Sequence, residues 1–190
     1  MTEYEFSAEE ALEKLKEGNR NFTAGRACAG DLSLRRRKDT CENGQHPYAI
    51  LVTCSDSRVI PEHIFDAGIG DLFVIRVAGF VMDDHQLGSI EYAAEHLGCG
   101  LVVVLGHNHC GAVDAAIHHD PDGYVRFITD EILRAIGRET DDYRACCLNV
   151  KHSCGIIENS IRIRKDEENY GLKVVGALYH LENGEVEFLE

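Results

Sequence analysis

Three short runs of nearly unbroken aliphatic and β-branched residues punctuate the middle of this chain, and each is followed by a stretch with helical spacing. Residues 48–53 lead to 61–65, residues 72–77 to 87–97, and residues 101–105 to 110–117. A strand that is apolar on both sides has no solvent face, so it belongs inside a sheet covered by helices on both surfaces. Strands alternating with helices imply parallel neighbours. Pro61 suits the first turn of its helix, where the missing amide hydrogen would have no partner in any case. Near the end, residues 173–179 and 185–189 flank Asn183-Gly184, a strong hairpin signal that predicts an antiparallel edge. The expected fold is α/β: a mostly parallel central sheet with an antiparallel edge, flanking helices and an N-terminal helical arm.

The arm begins with a helix over residues 7–25. Ser7 followed by Glu10 is a capping-box pair, and Ala8, Ala11, Leu12 and Leu15 share one face. Residues 26–46 turn polar with one short helix, so residues 1–46 read as an arm lying over an α/β core of residues 47–190, all in a single domain. The chain has 190 residues, 44% of them hydrophobic and 27% charged, enough for one sizeable core. Its 19 Lys and Arg face 33 Asp and Glu, for a net charge of -14. That field repels phosphates, which argues against nucleic-acid and acidic-membrane partners. The only basic cluster, Arg35 to Lys38, is flanked by Asp31 and Asp39 and reads as a solvated helix face. No apolar run approaches the roughly 20 residues of a membrane span. Thr2, Glu3 and Glu5 do not fit a secretion signal, so the expected location is cytoplasmic.

Cytosolic thiols stay reduced, which turns the eight cysteines into a sorting problem between core residues, ligands and nucleophiles. Cys147, Val150, Cys154, Ile157 and Ile161 recur at spacings of three and four, predicting one apolar stripe on a helix over residues 141–165. Cys146 lies off that stripe, and Cys28, Cys41 and Cys99 have no local partner. Cys54 and Cys110 are placed differently. Cys54-Ser55-Asp56-Ser57-Arg58 and Gly106-His107-Asn108-His109-Cys110-Gly111 both start where an apolar run stops. In a parallel sheet, loops at the carboxyl ends of strands build the site, so the two segments can meet although about 50 residues separate them. They offer two thiolates and one or two imidazoles. Two Cys and one His fill three tetrahedral positions on zinc and leave the fourth for water, the pattern of a catalytic site. A cysteine-dependent phosphatase loop fails on spacing, because only three residues separate Cys54 from Arg58.

With these two signatures the chain resembles the β-class carbonic anhydrases, from its first helix to its closing strand. The resemblance implies one zinc held by Cys54, His107 and Cys110, and an Asp56-Arg58 pair beside it. It also implies a carbon dioxide pocket lined by Gln45, Phe73, Ala78 and Tyr92. Family members are dimers or multiples of dimers with the site at the subunit interface, so a homodimer is expected, with Phe6 and Phe22 of the arm free to pack on a partner. Two positions depart from the family: Phe80 stands where Asn is frequent, and His109 where a small residue is usual. Phe80 could reshape the rim of the pocket; His109 could relay protons, compete for the metal or face solvent. Leu51 stands where members that close their site on acidification carry Trp, which favours the open state. His46, His63, His85, His96, His118, His119, His152 and His180 lack matching partners in the sequence and read as surface or core residues.

The implied activity is reversible hydration of carbon dioxide to bicarbonate and a proton by a zinc-held hydroxide. Asp56 would accept the hydroxide's hydrogen bond, Arg58 would keep that carboxylate ionised, and Gln45 would donate to the oxygen that gains charge. The alternatives are hydrolysis of carbonyl sulfide or carbon disulfide on the same scaffold, and a non-catalytic zinc-binding assembly subunit.

Overall fold

A computed structural model describes residues 4–28, 30–118 and 122–189; His119 falls outside them. At its centre lies a sheet of β1 (Ala49–Thr53), β2 (Leu72–Arg76), β3 (Leu101–His107), β4 (Lys173–Tyr179) and β5 (Val186–Phe188). The strand order is β2-β1-β3-β4-β5, parallel throughout except for β5, which runs antiparallel to β4. This is the α/β architecture the apolar runs predict. Both central strands, β1 and β3, are buried along their whole length. Their side chains alternate between two cores, as strand pleating requires. Ile50, Val52, Val102 and Val104 face one, and Ala49, Leu51, Leu101, Val103 and Leu105 the other.

The helices are α1 (Ala8–Thr23), α2 (Leu34–Asn43), α3 (Pro61–Ile64), α4 (Asp84–Leu97), α5 (Gly111–His118), α6 (Val125–Ile136), α7 (Asp142–Glu158) and α8 (Ile161–Tyr170). Helix α1 opens on the expected capping box, with the Ser7 hydroxyl accepting from the Glu10 amide and the Glu10 carboxylate accepting from the Ser7 amide. Its Ala8, Ala11 and Leu15 are buried against the chain's own sheet. Phe6 packs edge-on to Tyr48, and Phe22 lies against Gly184. Both rings pack against this chain's own core and stay half-buried.

The helix expected over residues 141–165 is two helices. Ser160 is extended and its hydroxyl accepts from the amides of Arg162 and Ile163, so it caps α8 and breaks the run. The break turns Ile161 outward, 73% exposed, and the stripe shifts: Cys146 is buried while Cys147 and Cys154 are half-buried. Helix α6 goes beyond the expected elements, although Ile128, Ile132, Leu133 and Ile136 recur at helical spacing and face the core. His152 and His180 do find partners, in Glu131 and Glu187.

One contact fixes where α1 sits. A Cβ built on Gly18 would lie 1.9 Å from the carbonyl oxygen of Phe65, just beyond α3. On helix propensity alone Gly18→Ala should stabilise by about 1 kcal/mol. We expect the opposite sign, because the clash is with backbone and overpacking costs about 1–3 kcal/mol. Urea unfolding at fixed protein concentration checks it: the midpoint should fall, and a raised midpoint would mean that α1 does not dock here.

Candidate metal centre

Parallel pairing of β1 with β3 matches Thr53 to Leu105, so the strands deliver their next residues to the same edge of the sheet. Cys54, His107 and Cys110 meet there, all three buried, with their ligand atoms within 4.8 Å of one another. His107 sits at the end of β3 and Cys110 immediately before α5. The Nε2 atom of His107 is buried and has no hydrogen-bond partner. An orphaned, buried imidazole nitrogen facing two thiols fits a tetrahedral thiophilic ion such as zinc. The hydrogen bond from Cys110, helped by the Gly79 amide, holds the Cys54 thiol well below its ordinary range. That same bond, together with burial, pushes Cys110 up. Two thiols that share one proton in this way are poised to exchange it for a cation.

Asp56 leans over this cluster, one carboxylate oxygen 3.8 Å from His107 Nε2. Arg58 grips it in bidentate fashion, Nε to Oδ1 at 3.0 Å and Nη2 to Oδ2 at 2.7 Å, and adds its amide at 2.9 Å. That guanidinium holds the Asp56 carboxyl far below the usual carboxylate range. Arg58 also donates to the carbonyl of His109 at 3.1 Å, tying the two loops together. Ala78 belongs to a 3-10 turn, Ala78–Phe80, whose Gly79 amide points at Cys54 Sγ at 3.4 Å. These residues meet in one chain. Three others do not join them. Phe73 pairs with Ile50, four residues before Cys54, hence about 13 Å back along the strands. Tyr92 follows it, ring centroids 6.2 Å apart, and Gln45 leads into the opposite, amino end of β1, exposed.

The two departures resolve differently. Phe80 does not touch the rim: it is fully buried, and a Cβ on Gly106 would stand 3.0 Å from its ring. Its backbone takes a positive φ of 44° beside Gly79 at 66°. His109 turns to the surface, its side chain 71% exposed and its Nδ1 3.6 Å from Asp142.

A family model described as carbonic anhydrase matches residues 49–186. The chain is 40% identical over 185 residues to carbonic anhydrase 2 of Mycobacterium tuberculosis, covering 92% of this chain and 89% of that one. It is 38% identical over 189 residues to the carbonic anhydrase of Mycolicibacterium smegmatis, covering 93% and 91%. Its fold matches the crystal structure of the β-carbonic anhydrase CafA of Aspergillus fumigatus with a TM-score of 0.75, at 26% identity over 95% of this chain and 89% of that one. The chain belongs to the β-class carbonic anhydrases.

In this carbonic anhydrase several residues that shape the site gave no signal in the sequence. Arg76, at the end of β2, donates to the carbonyls of Cys54 (3.1 Å) and Asp56 (2.8 Å), clamping the first ligand loop from both ends. Asn149 and Ser153 of α7 donate to the carbonyls of Gly79 and Phe80 and so hold the left-handed turn that aims an amide at Cys54. Only the pairing of a polar side chain with an apolar helix face in α7 could have hinted at them. The remaining thiols divide by burial. Cys99 donates to the Pro47 carbonyl at 2.9 Å, and burial pushes both Cys99 and Cys146 to about 12. Cys28 and Cys41 are exposed.

Thiolate is the reactive form, so Cys99 and Cys146 should stay unlabelled in native enzyme from pH 7 to pH 10, while Cys28 and Cys41 react. Peptide mapping after brief alkylation reads this directly. Labelling of Cys99 at the rate of Cys28 near pH 9 would contradict the burial described.

Proposed function

We propose that Cys54, His107 and Cys110 hold one zinc ion per chain, with Asp56 and Arg58 completing the machinery that hydrates carbon dioxide to bicarbonate and a proton. The observation that carries the assignment is the orphaned His107 Nε2, buried with two thiols and faced by a carboxylate that Arg58 already holds. Zinc in such a site lowers the pKa of a bound water toward neutrality and so supplies the nucleophile; the general example is a carbonic anhydrase with a different ligand set. Asp56, kept ionised by Arg58, would accept a hydrogen bond from that nucleophile and orient it toward the carbon. Ala78 provides a small apolar wall beside it. Carbonyl sulfide or carbon disulfide hydrolysis loses its support, because Phe80 lies in the core and leaves the rim unaltered.

Gln45, Phe73 and Tyr92 enter the pocket from a second copy of the chain, which makes a homodimer the smallest complete unit. Their separation from Cys54 within one chain supports this reading. So does the exposed surface of 10114 Å², against roughly 9,000 Å² for a self-contained monomer of this mass. A cytoplasmic location suits a chain whose eight cysteines are all unpaired and whose chemistry needs two free thiolates. Among the described residues no helix is long and apolar enough to cross a membrane.

Asp56→Asn should keep its zinc yet lose hydration activity by about 10²-fold or more in stopped-flow assay, since an amide cannot serve as the ionised acceptor. Parent-like turnover of this variant would make Asp56 structural. Cys110→Ser should lose the metal by elemental analysis and His109→Ala should retain it; loss of metal from His109→Ala would mean that the ligand imidazole is misassigned. Light scattering should find a dimer or a multiple of one, and Tyr92→Ala should slow hydration while zinc stays bound; a fully active monomer would refute the shared pocket.

A further inference from the structure

We infer that Asn108 is a positioning residue for the metal centre, acting through His107 and anchored by Glu182 of the β4–β5 connection. The inference rests on His107 being a zinc ligand. His107 Nδ1 lies 2.9 Å from the carbonyl oxygen of Asn108, the next residue in the chain. A carbonyl can only accept, so Nδ1 carries the proton and Nε2 keeps its lone pair toward Cys54 and Cys110. The tautomer of the ligand therefore depends on where the Asn108 carbonyl points.

Three contacts on Asn108 set that direction. Its amide donates to the carbonyl of Tyr179, the last residue of β4, at 3.2 Å. Its side chain is nearly buried and reaches the connection twice: Oδ1 accepts from the Leu181 amide at 2.9 Å, and Nδ2 donates to Glu182 Oε2 at 2.7 Å. The following peptide is fixed as well, since the His109 amide donates to Asp142 Oδ2 at 2.8 Å. His109 stands at a positive φ of 51°, a conformation that costs a residue with a side chain and persists only where neighbours enforce it. Asn108 thus spans the ligand loop and the β4–β5 connection, and every hydrogen-bonding atom of its side chain is used by that connection and none by the ligand loop itself.

The connection is rigid in turn. Asn19 of α1 donates to the Gly184 carbonyl at 2.9 Å and accepts from the Val186 amide at 3.0 Å. A Cβ on Gly184 would stand 2.8 Å from the Phe22 ring. Asn108 therefore leans on an element that the arm helix braces from behind.

The test compares zinc-loaded wild type with Asn108→Ala, Glu182→Ala and Glu182→Gln. Glu182 has a 61% exposed side chain, so its replacement leaves the core intact. Zinc transfer to a chromophoric chelator should run about 10- to 100-fold faster in Asn108→Ala, the usual effect of removing a group that orients a ligand. Glu182→Ala should change it in the same direction by less, and Glu182→Gln should restore it, because a glutamine oxygen still accepts from Asn108. Cobalt substitution should report a shifted visible spectrum in Asn108→Ala, and the imidazole nitrogen shifts of His107 should show loss of the single Nδ1–H tautomer. Wild-type transfer rates and cobalt spectrum in Asn108→Ala would overturn the inference. If Asn108→Ala does not fold, Glu182→Ala decides: unchanged transfer overturns it, and faster transfer rescued by Glu182→Gln supports it. A wild-type protein that holds no zinc would instead refute the ligand assignment itself.

Discussion

Two thiols and an imidazole with an unpaired nitrogen, buried within 4.8 Å of one another, make a donor set that a cation would satisfy. The rest of the fold serves to bring them there and hold them. The parallel register of β1 and β3 puts Cys54 and His107 on one edge, and the start of α5 one turn later returns Cys110 to the same point. Register is what makes this robust. A slip by one residue would send every side chain of a strand to the wrong core, and with β1 and β3 buried on both faces such a slip has no compensating gain. The hydrophobic burial of the central strands therefore secures the geometry of the polar site at their ends.

Holding the site costs backbone strain, and the structure places the compensation in neighbouring elements. Gly79 and Phe80 have positive φ so that an amide faces Cys54 Sγ, and α7 grips that turn through Asn149 and Ser153. His109 has positive φ so that the second loop can turn into α5, and Arg58 and Asp142 grip it from either side. In both places a side chain from a different element bonds the carbonyl or amide of the strained residue, which is how an unfavourable conformation becomes the only one available. Arg58 does this while also holding Asp56, so the group that tunes the carboxylate is the group that joins the two ligand loops.

The mostly parallel sheet with its antiparallel edge, the capped first helix and the three candidate ligands were legible in the sequence, because each has a local signature: apolar runs, a Ser-x-x-Glu box, Cys and His at strand ends. What was not legible depends on contacts between distant segments. Nothing near Phe80 says that its ring fills the core beside Gly106; that requires knowing that α7 packs over β3. Phe6 and Phe22 read as spare aromatics until α1 is seen folded over its own sheet. The break at Ser160 was masked because Cys154, Ile157 and Ile161 continue the helical spacing through it, while the serine's capping bonds outweigh that pattern. Arg76, Asn108, Asn149 and Ser153 are ordinary residue types, and their importance lies in which backbone atoms they reach.

The separation of Phe73 and Tyr92 from Cys54 carries the argument about assembly. Of the four residues proposed to line the carbon dioxide pocket, Ala78 alone lies at the metal end of its own chain. Strand β2, which bears Phe73, is an edge strand half-open to solvent, and Tyr92 beside it is 47% exposed. An unpaired strand edge next to exposed aromatic rings is a surface that soluble proteins do not leave bare. In the proposed homodimer a twofold-related copy would cover it and set each chain's aromatic pair against the other's metal end, because a self-complementary contact is reciprocal. One operation would then bury the edge and close both pockets, tying assembly and catalysis to the same few residues.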